Sequence, residues 1–78
     1  MENGRKIYIV TEYFYKTKSY GLFGKAFNTK RKAIEFVLRH LSIEEMNKTE
    51  RLYKRGLITK NEYVGNEHNF DIRELNLE

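Results

Sequence analysis

Residues Lys25 to Leu41 read KAFNTKRKAIEFVLRHL and turn an aromatic run into an amphipathic helix. Asn28 and Thr29 are both good N-cap residues, because a short side-chain oxygen can accept a bond from an otherwise orphaned backbone N–H. From there Ala33, Ile34, Val37, Leu38 and Leu41 fall at the i, i+3, i+4 spacing that makes one helix face apolar. The pattern predicts a main helix over Thr29 to Leu41, and the rest of the chain has to cover its apolar face.

Upstream, Lys6 to Tyr15 (KIYIVTEYFY) is short and rich in β-branched and aromatic residues, as expected of a central strand. Ile7, Ile9, Thr11, Tyr13 and Tyr15 share one side and Tyr8, Val10, Glu12 and Phe14 the other. Both sides are largely apolar, so the pattern does not select the one that meets the helix. Lys16 to Ser19 is a polar break, and a second aromatic run from Tyr20 to Phe27 completes a β-hairpin. Gly21 and Gly24 weaken that second strand, mark a bulge or close approach, and place it at an edge.

Downstream, Ser42 and Glu45 form a capping box that opens a second helix from Ile43 to about Arg55, with Gly56 as its terminator. Its apolar content is modest, so it should lie on the surface. Thr59 and Glu62 repeat the box and predict a short helical turn through Tyr63 and Val64 that ends at Gly65. In the last segment, Phe70 and Ile72 alternate and Leu75 and Leu77 follow on the opposite parity. That switch implies a bulge near Arg73 and Glu74, or a strand that ends by Glu74. The expected architecture is therefore α+β: one domain over residues 1–78, a three-stranded antiparallel sheet in the order 2-1-3, one main amphipathic helix across it, and an added helix and helical turn before the last strand.

Composition sets the bounds. In 78 residues there is room for one core and no deep substrate cavity, and with no cysteine that core has neither disulfide nor thiolate metal site to reinforce it. Apolar residues at 40% exclude a disordered chain. No run approaches the roughly 20 apolar residues of a membrane span, and MENGRK lacks a signal-peptide core, so the expected compartment is the cytoplasm. The bias toward Lys, Asn, Ile and Tyr over Ala suits an AT-rich bacterial or phage genome. Residues 1–41 are net basic and residues 42–78 slightly acidic. A basic half can steer toward phosphates or an acidic protein, or can simply be a solvated surface.

The order Lys6-Ile7-Tyr8-Ile9-Val10, then Phe27-Asn28-Thr29-Lys30-Arg31-Lys32-Ala33, then Phe70-Asp71-Ile72-Arg73-Glu74-Leu75 resembles small uncharacterised phage and bacterial proteins of strand, strand, helix, strand plan. Between the helix and the last strand, Leu52-Tyr53-Lys54-Arg55-Gly56-Leu57-Ile58-Thr59-Lys60-Asn61-Glu62-Tyr63 resembles the helical hairpin of the short C-terminal (SHOCT-type) domain. That resemblance implies docking or oligomerisation.

Catalytic signatures are weak. His40 and His68 lack a spaced third ligand, so they read as surface histidines, with no metal, cofactor or catalytic residue implied. Gly21-Leu22-Phe23-Gly24-Lys25 has two residues between its glycines where a P-loop has four. It fits the GXXG of a KH domain, but Leu22 and Phe23 read as core residues. Ile7-Tyr8-Ile9 resembles the start of RNP2 in an RRM, and Lys18-Ser19-Tyr20-Gly21-Leu22-Phe23 matches RNP1 at Lys18, Tyr20 and Gly21. Tyr8 and Tyr20 are then candidate stacking platforms, or simply the aromatic cover of a one-sided sheet. Lys25, Lys30, Arg31 and Lys32 cluster at the helix start, where their charges and the free N–H groups suit phosphate.

Two functional expectations follow. The first is a non-enzymatic binding module, a phage or mobile-element accessory protein, docking on a protein partner or on a second copy through Leu57 and Ile58, with Tyr53, Lys54 and Arg55 beside them. The alternative is nucleic-acid binding through Tyr8, Tyr20, Lys18, Lys25, Lys30, Arg31 and Lys32.

Overall fold

The structure, a computed structural model, describes residues 5–77. Its elements are β1 (Arg5–Phe14), β2 (Ser19–Leu22), α1 (Lys30–Leu38), α2 (Ile43–Lys54), β3 (Glu62–Val64) and β4 (His68–Leu77). The sheet is antiparallel in the order β2-β1-β4-β3. The second, first and last strands thus take the expected 2-1-3 arrangement, but the sheet has four strands where three were expected.

The added strand replaces the predicted helical turn. Half of the Thr59 box does form: the Thr59 N–H donates to Glu62 Oε1 at 2.7 Å, and the Asn61 N–H donates to Thr59 Oγ1 at 3.3 Å. The Glu62 N–H closes one turn onto the Thr59 carbonyl at 3.1 Å, and the chain then straightens. Starting a helix is costly, and only Tyr63 and Val64 remain before Gly65; both are good strand residues. Gly65 ends no helix. It opens the β3–β4 turn, donating to the His68 carbonyl at 2.9 Å in a place where an added Cβ would lie 2.7 Å from that oxygen.

β1 and β4 pair over ten residues in one unbroken register, from Arg5↔Leu77 to Phe14↔His68. The expected bulge at Arg73 and Glu74 is absent, and the strand does not end there. Leu75 faces away from the core because it pairs with Ile7 on the other side of the sheet, where it stays exposed. Ile7 supplies the apolar neighbour that makes the phase switch tolerable.

β2 stops at Leu22, well short of the expected Phe27. The register Thr11↔Leu22 and the later bridge Tyr8↔Phe27 leave two extra residues between them. The excursion at Gly24, Lys25 and Ala26 is the expected bulge at Gly24, whereas Gly21 pairs in register with Glu12 and has open space around it. Gly24 adopts φ +81° against the Phe36 ring, where a Cβ would lie 2.5 Å from ring carbon Cζ. Leu22, expected in the core, is 72% exposed because it points to the uncovered face of an edge strand, whereas Phe23 packs against the core.

α1 starts as expected, with Thr29 Oγ1 accepting the Lys32 N–H at 3.2 Å. It ends three residues early: the His40 and Leu41 amides bond to the Val37 and Leu38 carbonyls in a tightened last turn, which still buries Leu41. α2 carries the complete Ser42–Glu45 capping box. The side of β1 that meets α1 is the even one. Val10 packs there with Ala33, Val37, Leu41, Phe70 and Ile72 to form the buried core.

Val37 is fully buried at the centre of this cluster. Val37→Asp places an unpaired charge in a core with few alternatives and should abolish the cooperative thermal transition, as followed by circular dichroism.

Candidate docking surface

The α2–β3 connection projects the residues that the sequence singled out. Gly56 takes φ +74°, the left-handed terminator conformation, and its N–H donates to the Tyr53 carbonyl at 3.0 Å while the Leu57 N–H reaches the Leu52 carbonyl at 3.0 Å. This turn aims Leu57 outward, leaving it 64% exposed, beside Tyr53 at 50%. Ile58 is half-buried and lies at the margin of the bare sheet face, near Val64, Tyr13 and Tyr20. Lys54 and Arg55 are exposed, and Lys54 pairs with Glu50 at 3.4 Å. Tyr53, Lys54, Arg55 and Leu57 are thus all exposed at this end of α2, while Ile58 borders the bare sheet face.

Next to this tip lies a cavity of about 310 Å³, walled by Leu38, Met46, Tyr53 and Tyr63. Sequence reasoning did not find it, because it opens between the end of α1, one side of α2 and a strand that was read as helix. Burial raises the Tyr63 phenol pKa from its ordinary value. The hint in the sequence was the thin apolar content of α2, whose one buried residue is a threonine.

That threonine explains how α2 is held. Thr49 Oγ1 accepts the Val64 N–H at 2.9 Å and donates to the Val64 carbonyl at 3.3 Å, so one hydroxyl occupies the free edge of β3. Glu45 does the same for the following turn: its carboxylate accepts the Ser42 N–H at 2.8 Å and the Asn66 N–H at 2.7 Å. These backbone donors, Ser42 first and Asn66 second, hold the Glu45 carboxyl below its ordinary pKa. The Tyr15 hydroxyl donates to the Gly65 carbonyl at 3.1 Å and meets Asn69 Oδ1.

The proposed nucleic-acid residues are divided. Tyr8 lies on the helix side of the sheet and bridges to Phe27, while Tyr20 pairs with Tyr13 on the bare side, their ring centroids 4.7 Å apart. Tyr8 and Tyr20 thus form no joint platform, because an odd separation along β1 between Tyr8 and Tyr13 places them on opposite sides. Lys18 sits in the hairpin turn at φ 53°. Lys25, Lys30, Arg31 and Lys32 do gather around the start of α1, and no acidic residue occupies its first turn.

The histidines part company. His40 is exposed, with Nδ1 against the Phe36 carbonyl at 2.9 Å. His68, expected at the surface, is half-buried between the Phe14 and Phe70 rings and contacts the buried Glu12 carboxylate through Nδ1. The pair spans neighbouring strands, since Glu12 opposes Phe70 and His68 opposes Phe14. Among the described residues no group of three His, Asp or Glu side chains could hold a metal ion, and no helix is long and apolar enough to cross a membrane. Comparison with family models, curated proteins and solved structures gave no match.

Two outcomes follow from these contacts. Glu45→Gln should lower stability at neutral pH by about 1 kcal/mol, the usual value of a cap. Because the folded-state pKa is depressed, that contribution is present above the ordinary glutamate pKa of 4.5 and is lost as the pH falls through the lower folded value. Thermal melts of the two proteins should therefore converge in acid. His68→Ala strands Glu12 and should cost about 3 kcal/mol in urea unfolding, whereas replacing both by leucine should recover most of that loss.

Proposed function

We propose that the protein is a non-enzymatic docking module whose α2–β3 tip engages a protein partner. The observation that carries this reading is a largely apolar cavity with the half-exposed Tyr53 in its wall, in the same α2–β3 connection that leaves Leu57 exposed. A cavity of about 150 Å³ can hold a benzene ring, so one of about 310 Å³ has room for a leucine or aromatic anchor from a partner. The charged residues that line the cavity are Glu50, Lys60 and Glu62, with Glu50 paired to Lys54 at 3.4 Å and Glu62 Oε1 accepting the Thr59 N–H at 2.7 Å. An apolar centre with a polar rim of mixed charge fits a segment that offers one large apolar side chain as its anchor.

Selection of a random peptide library on the immobilised protein should enrich such segments. Leu57→Ser and Tyr53→Ala should each weaken the selected peptide at least tenfold by titration calorimetry, with the melting temperature nearly unchanged. Peptides indifferent to both substitutions would overturn the assignment of the tip. A concentration-dependent dimer abolished by Leu57→Ser would replace the foreign partner with a second copy of the chain.

A further inference from the structure

The two-residue excursion of the chain after β2 builds a second surface, on the opposite flank of α1 from the docking tip. Phe23 still reaches β1, its N–H donating to the Val10 carbonyl at 2.9 Å, and Phe27 rejoins β1 through two bonds to Tyr8 at 2.8 and 2.9 Å. Between them Gly24, Lys25 and Ala26 arch over the side of α1. The result is a groove of about 670 Å³, within the range of ligand clefts, with the excursion as one wall. The other wall is Lys32, Glu35, Phe36 and Arg39, which follow one another at i, i+3, i+4 and i+7 and so form a single stripe along the helix. Phe27 and Phe36, ring centroids 5.2 Å apart and both half-buried, supply the floor.

Charge selects the occupant. Lys25, Lys32 and Arg39 are exposed on the rim, and none has an ion-pair partner among the described residues. The one carboxylate of the stripe, Glu35, is drawn to Arg31 on the neighbouring stripe at 3.7 Å, so the groove keeps a surplus of positive charge. Lys32 and Arg39 are separated by roughly 10 Å along the helix axis, with the Phe36 ring between them. Phosphates alternating with flat apolar bases match that alternation of cation, ring and cation, and arginine adds a planar guanidinium on which a base can stack. An acidic peptide satisfies the cations and leaves the aromatic floor without a partner of its own shape.

We infer that this groove binds a short stretch of single-stranded nucleic acid, with phosphates on Lys25, Lys32 and Arg39 and a base against the Phe27 and Phe36 rings. The site is independent of the docking tip. Three phosphate contacts on a single strand give a slope of log affinity against log salt near −2, at about 0.7 per contact.

The test is fluorescence anisotropy of a labelled oligothymidylate of about ten nucleotides over a salt series. Lys25→Ala with Lys32→Ala should cut the slope to about −0.7, and both side chains are exposed enough for the fold to tolerate the change. An abasic strand with the same phosphates should bind at least fivefold more weakly, and Leu57→Ser should leave binding intact. No binding at low salt, a slope unmoved by the double substitution, equal affinity for the abasic strand, or tighter binding of polyglutamate would each overturn the inference. Loss of peptide binding at the tip with oligonucleotide binding retained would bear on the docking reading alone.

Discussion

The pairing of β1 with β4 is the constraint on which every other element depends. It joins the first described residues of the chain to the last over ten residues in a single register. Everything from Tyr15 to Glu67 must therefore be fitted onto or around one two-stranded ribbon. A ribbon alone is marginal in water, and it gains its stability from a third strand on either side and a helix across one face. Closing so long a loop is entropically expensive, yet the cost grows slowly with length, and ten paired residues with Val10, Phe70 and Ile72 buried between them can offset it.

This constraint also decides the question that the alternation in β1 leaves open. With both of its sides apolar, the side that meets α1 is set by the partner strand: Phe70 and Ile72 stand opposite Glu12 and Val10, and that is where the largest buried side chains accumulate. The other side gathers Ile7, Ile9, Tyr13, Tyr20 and Leu22, interrupted by Thr11, Asp71, Glu62 and Arg73. Burial, with Glu62 directly across the strand pair, pushes the Asp71 carboxyl pKa up, while Arg73 at 3.3 Å pulls the other way. Like charges opposite one another are unfavourable in a sheet, so this band limits how closely any apolar surface can lie on the bare face.

The legibility of the sequence follows the range of the interaction. Signals that act within four residues were readable: Thr29 and Ser42 cap their helices, Gly56 terminates α2, and Gly24 marks the place where β2 leaves the sheet. Signals that depend on a distant strand were not. The Thr59–Glu62 box is real in its hydrogen bonds and misleading in its consequence, because β4 offers Tyr63 and Val64 a ladder that a two-residue helix cannot match. The parity switch at Leu75 is explained by Ile7 opposite it, and the burial of His68 by Glu12 on the neighbouring strand, and neither partner is near in sequence. Of the candidate sites, the tip at Leu57 was legible as two apolar residues in a turn. The cavity beside it and the groove under Lys25 were not, since each is bounded by elements that meet only in three dimensions.

The manner in which α2 is attached connects the fold to its candidate use. A helix usually secures its place by burying an apolar stripe, and the stripe is then unavailable for anything else. α2 buries Thr49 and is tied to β3 and the following turn by polar bonds, through Thr49 to Val64 and through Glu45 to Asn66. A hydroxyl and a carboxylate that meet backbone groups fix orientation with little apolar area, each contributing on the order of 1 kcal/mol or somewhat more for the charged acceptor. Met46 packs only partly against the core, and Tyr53 remains half exposed. The helix is thus positioned with only partial use of its apolar side chains, which leaves Met46 and Tyr53 as a wall of the cavity. A partner that filled the cavity would gain apolar burial that folding did not take, so that docking, as proposed, would add to the stability of the fold instead of competing with it.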